Sequence, residues 1–181
     1  MRKFLTSCLL LLMTAFYANT ASATHLMGAD LQYECLGPGQ YKVKLQLYRD
    51  CNGVSIGSSH TINYSSAQCG VTSSITVTQI SVSDITPVCQ PQAANTACGG
   101  NGQYGVEKYV YEGILNLPPG CGTDWVLSWT NCCRNNAITN LQSPGNENMT
   151  IATCGLNNTI SPCNNSPAFL NDPVPFFCVN Q

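Results

Sequence analysis

Charge is what this sequence of 181 residues has least of. Asp, Glu, Lys and Arg together make up 9%, against roughly 25% in an average soluble domain. Seven basic and nine acidic side chains give a formal net charge of −2. A nucleic-acid binder displaces counterions from phosphates with a basic stripe, and this chain cannot build one. A coiled coil is excluded as well, because its Ala/Glu/Lys/Leu/Arg-rich composition is missing. Histidine is limited to His25 and His60, and no C-x-x-C pair occurs. Adjacent Cys132 and Cys133 make a poor pair for tetrahedral zinc, and exported cysteines oxidise before they serve as thiolate ligands. No metal and no cofactor is expected.

Long apolar runs are missing too, except at the start. Arg2 and Lys3 precede an apolar core running from Leu9 through Met13 to Ala15 and Phe16. At about ten residues that core is too short to span a bilayer. Ala21-Ser22-Ala23 supplies a small-x-small cleavage pattern, so residues 1–23 read as a signal peptide and the mature chain starts at Thr24. Leu5-Thr6-Ser7-Cys8 resembles a lipoprotein box, but such a box follows the apolar core, and here most of the core comes after it. Losing residues 1–23 removes Arg2, Lys3 and Cys8. That leaves 158 residues, eleven of the twelve cysteines and a net charge of −4. The expectation is an exported chain, extracellular or at the cell surface, with no transmembrane segment after cleavage and one domain by length.

Cysteine is what the sequence has in excess. Cys35, Cys51, Cys69, Cys89, Cys98, Cys121, Cys132, Cys133, Cys154 and Cys163 are disulfide candidates, and Cys178 stands near the end. In an exported chain these read as a disulfide framework. Each bridge contributes about 2–4 kcal/mol, against a net domain stability of about 5–15 kcal/mol, so the bridges decide whether the domain folds.

The rest reads as strands and turns. Ala29, Leu31, Tyr33 and Cys35 alternate with polar partners, Gly37-Pro38-Gly39-Gln40 breaks the run, and Tyr41, Val43, Leu45 and Leu47 alternate with Lys42, Lys44 and Gln46. That is a half-buried hairpin. Residues 71–85 are dense in Thr, Ile, Val and Ser, residues 106–117 end at Pro118-Pro119-Gly120, and Trp125, Leu127 and Trp129 share one strand face. Residues 149–153 form a further short candidate. Prolines 162, 167, 173 and 175 keep the end extended. The predicted fold is an all-β, disulfide-stapled antiparallel β-sandwich, immunoglobulin-like or related, over 24–160. A Pro-rich extended tail, 161–181, leads toward a following domain.

Chemistry is thinly signalled. Gly53-Val54-Ser55-Ile56-Gly57 matches the G-x-S-x-G nucleophile elbow, but the last histidine comes only five residues after Ser55 and no helix follows. Asp50-Cys51-Asn52-Gly53 has one carboxylate, too few for a calcium loop. The nine acids form no paired pattern. N-x-[ST] sequons begin at Asn63, Asn148, Asn157 and Asn164. Tyr104, Tyr109, Tyr111, Trp125 and Trp129 would stack on sugar rings if they faced outward; otherwise they pack the core.

Three residue blocks carry a resemblance. Thr24-His25-Leu26-Met27-Gly28-Ala29-Asp30 leads through Tyr33-Glu34-Cys35 to Leu47-Tyr48-Arg49-Asp50-Cys51. Leu127-Ser128-Trp129 leads through Cys132-Cys133-Arg134-Asn135 to Ala137-Ile138-Thr139-Asn140, and Pro173-Val174-Pro175-Phe176-Phe177-Cys178 closes the chain. Together they resemble the N-terminal cysteine-rich module of large Bacteroidota surface proteins. Such proteins continue into PKD-like repeats and a gliding-motility-associated C-terminal sorting domain. The resemblance implies a structural or adhesive, non-enzymatic module whose partners are its own following domains and a surface or glycan ligand. The alternative is a carbohydrate-binding module using exposed aromatics. The family implies no catalytic residues.

Three expectations concern the cysteines. Short loops close at least cost, which favours Cys89–Cys98 and Cys154–Cys163. Strand alternation sends Cys132 and Cys133 to opposite faces, so they should bond to different partners, with a bridge fastening the strand at 125–130 to another segment. An odd count in the mature chain leaves one cysteine over. Its position makes Cys178 the candidate, and the resemblance, in which this segment runs on into another domain, implies that Gln181 is a truncation or assembly boundary.

Overall fold

Alternation on successive residues builds the first hairpin. In the computed structural model, which describes residues 26–88, 95–100, 102, 105–136, 138–153, 155–169 and 171, strand β1 (Leu26–Gly37) pairs antiparallel with β2 (Gln40–Asp50). Tyr41, Val43, Leu45 and Leu47 point inward and are fully buried, while Lys42, Lys44 and Gln46 face outward. Gly39 makes the turn at φ +76°, where a Cβ would lie 2.9 Å from the Leu117 carbonyl oxygen. Only glycine fits there.

Five more strands follow: β3 (Ser59–Ser66), β4 (Val71–Asp84), β5 (Val106–Asn116), β6 (Val126–Cys132) and β7 (Asn148–Ala152). Every ladder between them is antiparallel, and the strands join in one sheet of order β1-β2-β5-β4-β3-β6-β7. The described chain is all-β apart from two short 3-10 turns. β3 was not anticipated: Ile62 is its only fully buried apolar residue, amid Ser, His, Thr and Asn, so the alternation signal is weak.

The sheet curls on itself. β4 gives its first half to β3 and its second half, from Thr78 onward, to β5, with an irregularity between Gln79 and Ser81. At that fold Gly113 of β5 lies so close to β4 that a Cβ would meet the Thr76 carbonyl oxygen at 2.7 Å. The far strands then meet. Leu26 forms a parallel bridge with Arg134, and the Asn135 amide donates to the Leu26 carbonyl at 3.0 Å. The sandwich's two layers are thus halves of one folded sheet, with a single core between them. That core holds Ile62, Val77, Tyr111, Leu115, Trp125, Leu127 and Leu156, all fully buried.

Four disulfides staple the described residues, and they correct two expected pairings. Cys98 bonds to Cys51 rather than Cys89, and Cys163 bonds to Cys35 rather than Cys154. Cys69 bonds to Cys121. The physical reason is sheet order. β2 lies beside β5, so the residue that follows β2 meets the segment that precedes β5, and the Cys51 amide donates to the Gly105 carbonyl. Closure entropy rises only logarithmically with loop length, so spatial adjacency outweighs short spacing. The third correction concerns Cys132 and Cys133, which bond to each other. β6 ends at Cys132, and Cys133 turns away at φ +87°, so strand alternation no longer separates them. No described bridge ties β6 to another strand. Cys89, Cys154 and Cys178 lie outside the described residues.

Candidate functional site

Parts of the first two resemblance blocks, far apart in sequence, meet at one mouth of the curled sheet, while the third block, Pro173–Cys178, lies outside the described residues. β1 starts there, β2 and β6 end there, and β5 begins there. Leu26, Arg49, Cys132 and Cys133 come from those blocks. With Val54, Ser55, Ile56, Gly57 and Asn131 they line a cleft of about 130 Å³.

Arg49 forms the floor. It points inward from β2, is only 8% exposed, and its Nε donates at 3.1 Å to Glu107 Oε2, which also accepts from Nη2. Nη1 donates to the Gly53 carbonyl, and the guanidinium carbon sits 5.7 Å from the Tyr109 ring centroid. A buried guanidinium needs this full set, because an unpaired charge there is strongly destabilising. Next to it, Asp50 accepts from the Asn135 side-chain amide at 3.1 Å and from the Asn52 backbone amide. The Arg-Asp-Cys and Cys-Cys-Arg-Asn blocks are therefore joined directly.

Other candidates separate. Ser55 lies in the cleft wall on a loop, and that loop runs into strand β3 rather than a helix. His60 packs edge-on against Tyr111 and Trp129, at 4.6 and 5.6 Å between ring centroids, and its buried Nε2 has no hydrogen-bond partner among the described residues. Burial pushes its pKa below the ordinary 6.5. Among the described residues no acid orients that nitrogen, and Ser55, His60 and an acid are not brought together as a nucleophile-base-acid relay. Cys51, Cys98 and Glu107 gather closely enough for a metal, but the two sulfurs are bonded to each other and Glu107 holds Arg49.

Of the two readings of the aromatics, core packing holds for those that are described. Trp125, Trp129, Tyr109 and Tyr111 are all buried, and Tyr104 lies outside the described residues. The Trp125 Nε1 donates to the Cys121 carbonyl and to Asn158 Oδ1, and the Tyr111 hydroxyl donates to the Gly57 carbonyl. Burial and the neighbouring Tyr109 ring push the Tyr111 pKa well up. Of the sequon asparagines, Asn63, Asn148 and Asn164 are exposed, whereas Asn157 Oδ1 caps the Thr159 and Ile160 amides. His25 lies outside the described residues. Two groupings escaped sequence reasoning, the Arg49–Glu107 pair and the Cys132–Cys133 ring. The adjacent cysteines were the only signal available for the second.

No family model, curated protein or solved structure matches the chain.

Proposed function

We propose that this chain is a non-enzymatic, disulfide-stapled module of an exported cell-surface protein, with a structural or adhesive role. One observation carries the reading. Three bridges with sequence separations of 47, 52 and 128 fix the loops and the segment after β7 to the sheet, and such bridges persist in oxidising compartments. A scaffold locked at its loops suits load-bearing or presentation better than a reaction needing loop closure. The burial of four of the five candidate aromatics removes most of the support for sugar stacking.

The test is applied to intact producing cells. A membrane-impermeant amine label and external protease should both reach the protein, and deleting its gene should reduce attachment to surfaces. Recovery from the cytosol with free thiols would overturn export. Labelling of Ser55 by a serine-hydrolase probe would overturn the non-enzymatic reading.

A further inference from the structure

We propose that the Cys132–Cys133 disulfide is a thiol-exchange site for a small thiol, attacked at Cys132 Sγ with Cys133 as the leaving sulfur. Four observations support it. Cys132 is exposed and Cys133 half-buried, so the incoming thiolate reaches one sulfur more readily than the other. Both residues line the cleft of about 130 Å³, which gives a small molecule an approach beside the bond. The residue after the ring, Arg134, uses its Nε on the Asn148 carbonyl and has no carboxylate partner among the described residues, so its positive charge favours a neighbouring thiolate. Arg49 in the same cleft is already neutralised by Glu107.

The fourth observation is conformational. Cys133 holds φ +87°, a left-handed region that is disfavoured for a residue with a Cβ. Opening the ring lets it relax, whereas opening the others works against packed structure. Cys163 is also exposed, but its bridge sits under a hydrogen bond that the Cys35 amide donates to Asn165 Oδ1 and under others between Ser166 and Tyr33. The remaining two bridges join half-buried cysteines.

The electrons balance without an outside oxidant. A thiolate RS⁻ gives its electron pair to Cys132 Sγ, the Cys132–Cys133 bond breaks, and that pair leaves as the Cys133 thiolate. The product is a mixed disulfide at Cys132. Cys133 then either attacks back and releases RS⁻, or a second thiolate attacks the bound R sulfur, giving RSSR and a reduced pair. In that second course the protons of the two thiols end on the two cysteines.

The experiment treats the native, fully oxidised protein with limiting cysteamine, and in parallel with a cysteine-containing pentapeptide, then quenches with N-ethylmaleimide and maps disulfides by peptide mass. The expected result is a cysteamine adduct on Cys132 forming at least about tenfold faster than opening of the three long-span bridges. R134Q should slow it several-fold, and the peptide should react more slowly than cysteamine. Earlier or equal opening of Cys35–Cys163 would overturn the proposal. So would finding Cys132 and Cys133 bonded elsewhere in the untreated protein. Equal rates for peptide and cysteamine would overturn the assignment to a small thiol.

Discussion

The two mouths of the curled sheet are closed by opposite chemistry. At one, where β1 ends and β6 begins, the plug is apolar: Trp125 is fully buried and bridges to the equally buried Leu156. Gly122, at φ +90°, passes so close to the indole that any Cβ would strike its Nε1. Cys35–Cys163 and Cys69–Cys121 flank this mouth, and Asp124 binds the Ser66 hydroxyl and the Ala67 and Gln68 amides. At the other mouth the plug is the Arg49–Glu107 ion pair, with a cleft and a two-residue disulfide ring beside it. Apolar packing and long-span bridges give stability without chemistry. A buried ion pair and a ring of adjacent cysteines contribute less to stability but leave reactive and polar groups at a surface. The division places the long-span bridges and apolar packing at the first mouth and the ion pair, cleft and cysteine ring at the second.

The largest break in that comparison comes from C35S/C163S. The bridge has a sequence separation of 128, and a closed loop of that size contributes about 4–5 kcal/mol through the unfolded state. We expect urea unfolding to show a loss of that order, large enough against about 5–15 kcal/mol to leave the chain partly unfolded at 37 °C. A loss under about 1 kcal/mol would show that the first mouth does not hold the fold.

At the second mouth, E107A leaves Arg49 buried without its carboxylate. The expected loss is about 3 kcal/mol, and the paired replacement R49M/E107L should recover most of it, because removing both charges removes the desolvation cost. If E107A were neutral in thermal unfolding, the ion pair would not be the plug.

How much of this was legible in sequence differs between the mouths. The inward set Tyr41, Val43, Leu45 and Leu47 and the shared face of Trp125, Leu127 and Trp129 were readable, because strand alternation is a local property. The second mouth was visible only as separate blocks. Arg49, Asp50, Cys132 and Asn135 meet because β2 lies beside β5 and the curl brings β1 against the end of β6, and nothing in a linear pattern encodes that order. The cysteine pairing failed for the same reason. Closure cost ranks partners by chain distance, while the sheet ranks them by adjacency. β3 was missed because its inward positions include His60, Tyr64 and Ser66, a polar set for a buried face.

His60 offers a smaller test, set between the two mouths. Its pKa is lowered by burial, so the unfolded chain takes up a proton first as pH falls. The stability tied to neutral His60 is therefore fully present above its unfolded value near 6.5. It is lost progressively as pH drops through 6.5 toward the lower folded value. Between pH 7 and 5, wild type should therefore lose stability more steeply than H60Q, since most carboxylates titrate below about 4.5. Equal slopes in urea titrations would show that His60 is solvated rather than held between Tyr111 and Trp129.

The smallest expected effect sharpens the comparison most. C132S/C133S removes a disulfide, yet the loop it closes has a sequence separation of 1 and constrains almost nothing in the unfolded chain. Relief of the φ +87° conformation at Cys133 also offsets part of whatever contact is lost. Urea unfolding should therefore move by less than about 1 kcal/mol, in contrast with C35S/C163S. The change should be local. The Arg134 and Asn135 amides, which donate to the Pro144 and Glu147 carbonyls and to the Leu26 carbonyl, should exchange hydrogen faster. Amides of β2 and β5 should keep wild-type protection, because their ladder runs unbroken from Gln40 to Asp50. Two outcomes distinguish the roles. A global loss matching the long-span bridges would make the ring a structural staple, whereas local exchange alone keeps it as an element of the second mouth, dispensable for folding and available for chemistry.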